Sequence, residues 1–218
     1  MIRLICLDLD GTLVQPVNFW MELHRRYGTL EEGKQLTERY LKTDYEMLIR
    51  EVPGRLWKGK DEKEYLTLAK SIAYMQGIEE FFIALNDRFP GAPKAIISGG
   101  CYELAKRVQK DFGIDFIFAN QLVMEEGKVS GRFHWPVGAG KEAKACIIEG
   151  LCDDLGIRAD ETLMIGDSEG DIEAFKIAGT SIAFNDAPAS LCAVATHTVS
   201  GNDLRDIIPI LDMIQGTK

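Results

Sequence analysis

Apolar residues recur along this chain with two different periods, and the change of period marks out its organisation. Ile2, Leu4, Ile5 and Leu7 form a nearly continuous apolar run, the pattern of a strand buried on both faces of a parallel sheet. From residue 79 onward, short runs of this kind alternate with stretches of helical spacing. The pattern predicts a helix over Glu79–Arg88 closed by Pro90-Gly91, a strand over Ala95–Ile97, a helix over Tyr102–Phe112 and a strand over Phe116–Phe118. Residues 121–133 predict a hairpin turning at Glu125-Glu126-Gly127-Lys128. A helix over Lys141–Leu155, a strand over Thr162–Ile165, a helix over Asp171–Ala178 and a strand over Thr180–Phe184 follow. Pro188 opens a short helix, Thr196–Val199 makes a last strand and Asp203–Ile214 a last helix. Repeated strand–helix units define an α/β fold built on a doubly wound parallel sheet.

Residues 16–78 break this rhythm. Their apolar positions fall at helical spacing, as in Trp20, Leu23 and Tyr27, then Leu36, Tyr40 and Leu41, then Tyr65, Leu68, Ala69 and Ile72. Pro53-Gly54 and Gly59-Lys60 punctuate the segment. The pattern predicts a small helical insert after the first strand, its aromatic residues forming the insert's own core. The expected division is 1–15 with 79–218 as the main body and 16–78 as the insert.

Composition narrows the partners. The formal net charge is −9, which argues against nucleic acid or an anionic membrane surface. Residues 16–78 hold 11 Lys+Arg against 10 Asp+Glu, so the acidity lies in the main body. An acidic body does not draw an anionic ligand by its long-range field; such a ligand needs local basic groups, a cation and backbone amides. The five cysteines are odd in number and hold no C-x-x-C pair. That pattern predicts reduced thiols and a cytoplasmic setting. The apolar N-terminal run is too short for a membrane span.

The candidate chemistry lies where strands end, the edge at which open α/β sheets bind ligands. Asp8 and Asp10 follow the first strand, Ser98-Gly99-Gly100 follows the second, and Gly166-Asp167-Ser-Glu-Gly-Asp171 follows a later one. A lysine, Lys141 or Lys144, stands at the start of a helix. Carboxylate-only ligation suits Mg²⁺, and a lysine and a hydroxyl beside backbone N–H groups suit phosphoryl oxygens. One carboxylate can act as a nucleophile and a second can carry a proton. No fragment is specific alone; the ordered set is.

That set resembles the haloacid dehalogenase superfamily, and within it the phosphoserine phosphatase-like branch. The resemblance rests on Asp8-Leu-Asp10-Gly-Thr-Leu-Val14, Ile97-Ser98-Gly99-Gly100, Ala119-Asn120-x-Leu122, Gly127-x-x-Ser130-Gly131 and Gly166-Asp167-x-x-x-Asp171. It implies a Rossmann-like core with a helical cap at 16–78, and hydrolysis of a small phosphate ester through an aspartyl-phosphate. Asp8 is then the nucleophile and a Mg²⁺ ligand. Asp10 is the general acid/base and gives its backbone carbonyl to the metal. Asp167 is the third ligand and Asp171 a supporting carboxylate. Thr12 orients the turn, and Ser98 with the Gly99 N–H holds the phosphoryl group. Lys144 fits the family's 23-residue spacing to Asp167, which leaves Lys141 as a solvated helix-start residue. A phosphomutase, or a non-catalytic regulator on the same fold, ranks below the hydrolase.

The insert departs from the family. Val17 stands where phosphoserine phosphatases carry an amine-binding Glu, and Glu22 is the nearest acid. Arg50 and Arg55 are the candidates for a substrate carboxylate. Gly170 replaces an Asn and Ala187 a Lys of the family pattern. A phosphate ester without an amine is therefore the competing substrate. His24, His134 and His197 show no ligand spacing, and Cys101 reads as a small hydrophobe.

Overall fold

In a computed structural model that describes residues 1–138 and 140–216, Leu4–Leu7 forms the central strand β1. Lys94–Cys101 (β2), Phe116–Glu125 (β3), Lys128–His134 (β4), Thr162–Gly166 (β5), Thr180–Phe184 (β6) and His197–Val199 (β7) complete one sheet in the order β4-β3-β2-β1-β5-β6-β7. All neighbours are parallel except β3 and β4. The strand order reverses between β1 and β5, and the crevice at the carboxyl ends of these two strands is the expected ligand position.

Alternation along each strand divides the core in two. Ile5, Leu7, Ile96, Ile165, Ile182 and Phe184 belong to one apolar cluster, whereas Leu4, Cys6, Ala95, Ile97, Met164 and Ala183 belong to another, as the two-residue period of a strand requires. Helices over Ile78–Arg88, Tyr102–Phe112 and Ile208–Gly216 contribute Phe81, Leu104 and Leu211 to the first cluster. Helices over Ala143–Leu155, Ile172–Ile177 and Ala189–Cys192 contribute Ile148, Phe175 and Leu191 to the second. Both faces of the sheet are thus covered, which explains the unbroken apolar runs of the central strands.

Between β1 and Ile78 the chain forms four α-helices, α1 (Phe19–Arg26), α2 (Leu30–Tyr40), α3 (Tyr45–Glu51) and α4 (Glu62–Ser71). The remaining helices, in chain order, are α5 (Ile78–Arg88), α6 (Tyr102–Phe112), α7 (Ala143–Leu155), α8 (Ile172–Ile177), α9 (Ala189–Cys192) and α10 (Ile208–Gly216). Asn18, Asp44 and Asp61 start α1, α3 and α4 by accepting backbone N–H groups of Met21, Met47 and Lys63. The helix α3 is too short and too polar to be read from spacing. Pro53-Gly54 does not stop it: Val52–Leu56 continues as a π-type turn closed by Trp57 N–H to the Val52 carbonyl. Pro53 has no N–H to give the Ile49 carbonyl, so the α-type ladder is interrupted there and the chain widens to the five-residue bond from Trp57 to Val52.

Two strands differ from the pattern, and the hairpin turns where it predicts. The strand β2 runs on through Ser98-Gly99-Gly100 to Cys101, with a register shift against β3 between Ser98 and Cys101. The strand predicted at Phe116–Phe118 and the first arm of the predicted hairpin are one strand, β3. The hairpin turns at Glu126 and Gly127, both at positive φ (49° and 75°), the geometry that matches the twist of flanking strands. Its β4 edge does not stay open: Gly59 and Glu62 N–H donate to the carbonyls of Val129 and Gly127, and Val129 N–H donates to Lys60. Among the described residues no helix is long and apolar enough to cross a membrane.

Candidate active site

The chain leaves β1 in a tight turn in which Leu13 and Val14 N–H both return to the Leu9 carbonyl and Gly11 N–H bonds the Val14 carbonyl. This turn projects Asp8, Asp10 and Thr12 from the carboxyl end of the central strand. Asp8 is 5 % exposed. One of its oxygens accepts from Leu9 N–H at 2.7 Å and lies 2.9 Å from Lys144 Nζ. The same ammonium lies 2.7 Å from Asp171, which is fully buried. The second Asp171 oxygen accepts from the N–H and hydroxyl of Ser168. Lys144 comes from the first turn of α7, while Lys141, just before that helix, is exposed.

Asp167, at the end of β5, accepts from Thr12 Oγ1 at 3.1 Å. Carboxylate oxygens of Asp8, Asp167 and Asp171 lie within 4.8 Å of one another. Asp171 therefore stands in the cluster itself, alongside the two side chains expected to ligate. The Asp10 side chain turns the other way, toward Gly100 and Ser98, and its Oδ1 is buried without a partner. Ser98 is 2 % exposed, and its hydroxyl accepts from Gly100 N–H at 3.1 Å. It is not a helix cap: Cys101 precedes α6.

Four carboxylates share this space with one lysine, and the electrostatics follow. Burial and the neighbouring Asp8 push the Asp10 carboxyl up to about 7. Burial, Asp8 and Asp171 push Asp167 up to about 7. Burial raises Asp8 as well, with the Lys144 ammonium pulling it back. Burial opposes the charge on Lys144, but Asp171 and Asp8 outweigh it and hold the ammonium above its ordinary value. The donor set is all oxygen and carries excess negative charge, which fits a hard divalent cation.

Residues to which the sequence assigned no role hold this arrangement. Asn185, at the end of β6 with φ of 59°, donates to the Gly11 carbonyl at 2.8 Å. Asn120 Nδ2 donates to the Gly99 carbonyl at 3.1 Å and its Oδ1 accepts from Val137 N–H. Trp20 Nε1, from α1, donates to the same Gly99 carbonyl at 3.0 Å. Asn185 closes a contact across 174 residues, and its one sequence signal is an Asn-Asp pair directly after a strand.

The remaining candidates lie apart. Glu22 pairs with Arg25 and, at 3.8 Å, with Arg26. Arg55 pairs with Glu32 and Glu51 on the surface, and Arg50 is exposed. Val17 is half-buried against the apolar core. His24 is buried, its ring against Trp57 and its Nδ1 2.8 Å from Thr29 Oγ1. The Cys101 thiol donates to Tyr65 Oη, and burial pushes it up to about 12.

A parallel sheet with an acidic cluster and a buried lysine at its switch point defines a class that comparison identifies. Residues 2–179 match the haloacid dehalogenase-like hydrolases, and the chain belongs to that family and is an enzyme of it. Within the family it is phosphoserine phosphatase-like. It is 32 % identical over 208 residues to the phosphoserine phosphatase of Methanocaldococcus jannaschii, covering 94 % of this chain and 96 % of that one. It is 28 % identical to the Streptococcus thermophilus phosphoserine phosphatase, covering 97 % and 96 % of the two chains. A solved structure of a phospho-aspartyl intermediate analogue of phosphoserine phosphatase superposes with a TM-score of 0.79 at 31 % identity, covering 96 % of this chain and 98 % of that one.

Proposed function

We propose that the chain is a Mg²⁺-dependent phosphomonoesterase acting through a phosphorylated Asp8. The observation that carries this reading is the buried Asp8 carboxylate, paired with Lys144 beside Asp167 and Asp171 at the carboxyl ends of β1 and β5. Similarity to a phosphatase solved as a phospho-aspartyl analogue supports it.

Asp8 and Asp167, with Asp171 beside them and the Asp10 backbone carbonyl, would hold the metal. When bound, Mg²⁺ offsets the repulsion between a dianionic ester and this acidic site. An Asp8 oxygen attacks phosphorus while the bond from phosphorus to the alcohol oxygen breaks. Asp10 carries a proton near neutral pH and gives it to that oxygen. Asp10 then takes a proton from water, water attacks phosphorus, the bond to Asp8 breaks and orthophosphate leaves. Lys144, Ser98 and the Gly99 N–H stabilise the phosphoryl oxygens. Residues 16–78 act as a cap that keeps bulk water from the phosphorylated carboxylate, over a core of 1–15 and 79–218. Five free thiols support a cytoplasmic setting.

The substrate is a small phosphate ester, as similarity to phosphoserine phosphatases supports. One observation favours an ester without an amine. Glu22 is engaged by two arginines and Val17 has no charge, so an ammonium would be left unpaired at a cost of about 1–3 kcal/mol. The deciding experiment is orthophosphate release from a panel of esters by Mg²⁺-loaded wild type and Asp8→Asn. Activity lost in Asp8→Asn and silenced by EDTA, with Ca²⁺ failing to restore it, is the expected result. Appreciable turnover by Asp8→Asn would overturn the covalent route.

A further inference from the structure

A cavity lies between the helical segment and β4. A pocket of about 210 Å³ opens between α1, α2, α3, the Val52–Leu56 turn and β4. Trp20, Tyr45, Leu48, Ile49, Trp57 and Phe133 line its wall with aromatic and branched side chains. The indoles of Trp20 and Trp57 are stacked at 6.2 Å, and Phe133 meets Trp20 edge-on at 5.2 Å. Asn18 and Thr37 are uncharged, and burial pushes the lining His24 down to about 4, so its ring is neutral at pH 7. No described residue of the wall carries a charge at that pH.

This wall is tied to the phosphoryl loop. The Gly99 carbonyl, one peptide from Ser98, accepts from Trp20 Nε1 and from Asn120 Nδ2. Asn120 Nδ2 also reaches Tyr45 Oη at 3.4 Å. Two lining residues therefore meet, directly or through Asn120, the peptide beside the expected phosphoryl position. Glu22 is spent on Arg25 and Arg26 and Arg55 on Glu32 and Glu51, while Arg50 is exposed and outside the pocket's lining. An α-ammonium or α-carboxylate entering the pocket would lose water and find no partner. An apolar cavity of about 150 Å³ is enough to hold benzene, so this one has room for a ring or a branched hydrocarbon of that size.

We propose that this pocket receives the alcohol part of the substrate, and that the substrate is a phosphomonoester of an uncharged alcohol or phenol carrying one aromatic ring or a branched hydrocarbon of similar size. The inference rests on the hydrolase reading of Asp8. In the reaction water replaces the alcohol: ROPO₃²⁻ + H₂O gives ROH + HPO₄²⁻, with the bond from phosphorus to the alcohol oxygen breaking and that oxygen gaining a proton.

The test compares kcat/KM for benzyl phosphate, methyl phosphate and L-phosphoserine in wild type and in Thr37→Phe, which places a ring in the pocket. Each methylene moved from water into such a site is worth roughly fourfold. Wild type is expected to favour benzyl phosphate over both other esters by on the order of 10²-fold. In Thr37→Phe the benzyl-to-methyl ratio falls toward one. The ratio is taken within one protein, so partial loss of folded enzyme cancels. L-phosphoserine or methyl phosphate turned over as well as benzyl phosphate, or a ratio untouched by Thr37→Phe, overturns the proposal. Where no ester is hydrolysed, the reading of Asp8 fails and tryptophan emission decides the pocket. A saturable change on titrating benzyl alcohol but not methanol, lost in Thr37→Phe, supports it, and no such change overturns it.

Discussion

A methyl group on Gly100 would fall 1.9 Å from Asp10 Oδ2, and one on Gly11 would fall 2.1 Å from Asp167 Oδ2. Two carboxylates are thus held where only a missing Cβ leaves room, and Gly11 also stands at a φ of 83°, which side chains rarely adopt. Gly100→Ala must displace the Asp10 carboxyl. Misplacing a proton-transfer group by about 1 Å costs on the order of 10²-fold, so kcat should fall by that factor with KM little changed, as steady-state phosphate release would read. Asp10→Asn should lose both proton transfers yet keep Asp8. With ³²P-labelled para-nitrophenyl phosphate, whose phenolate leaves without a proton, a stable label on Asp8 trapped by acid quench is expected, and turnover at the wild-type rate would count against Asp10 as the proton carrier. Asp8, Asp10 and Asp167 could be found in the sequence because each follows a short apolar strand, which local pattern marks, whereas Ser98 lies inside β2 and Lys144 was separated from Lys141 only by the family's spacing. Trp20 and Asn185 could not, and Asn120 stood out only as part of a family motif, without a role. Their work consists of hydrogen bonds to the Gly99 and Gly11 carbonyls across 79, 21 and 174 residues, and nothing local encodes such a pairing.

Elements meet at places that hydrophobic period alone does not mark. The parallel strands and the helices flanking them were legible, since burial on both faces writes itself as apolar runs. The helix α3 and the π-type turn after it were not, because Tyr45–Glu51 buries one residue, Leu48. The return from the insert to the main body is tied by backbone bonds of Ala73 and Met75 to Gln15 and Leu13 and by one cation, Arg107 of α6. Its guanidinium donates to the carbonyls of Ala69, Lys70 and Ile72 and to Tyr74 Oη, and lies 4.4 Å over the Tyr74 ring. It thereby satisfies carbonyls at the C-terminal end of α4 that have no helical partner. Arg107→Ala should lower stability by about 2–3 kcal/mol, the worth of hydrogen bonds to a charged group plus the carbonyls left unpaired. Arg107→Lys should recover only part of that, since an ammonium cannot span four acceptors in a planar fork. Urea unfolding midpoints measure both, and equal stability of Arg107→Lys and wild type would mean that charge rather than geometry holds the joint.

At the scale of the whole molecule, the acidic site opposes the fold that contains it. Asp10 and Asp167 are each pushed up to about 7, while carboxyls in an unfolded chain titrate near 4. Between about pH 4 and 7 the folded protein therefore holds more protons at these two groups than the unfolded chain does. Their contribution is fully present below about pH 4 and is lost as pH rises through 7, because stability falls wherever the native state binds the greater number of protons. A cation bound to Asp8, Asp167 and Asp171 would replace the proton on Asp167, so its affinity should rise with pH, and it would stabilise by mass action on the folded state alone. The Tm difference between Mg²⁺-loaded and EDTA-treated protein should thus be small near pH 5 and grow to several degrees by pH 8. The scale is set by roughly 2–4 °C per kcal/mol for a domain of this size. Differential scanning calorimetry across that range reads the effect, with Asp167→Asn as control. That variant removes one raised carboxyl and one oxygen ligand together, so both the pH slope and the Mg²⁺ shift should shrink. A Mg²⁺ shift of equal size at pH 5 and pH 8 would separate the metal from these carboxyls and place it elsewhere in the molecule.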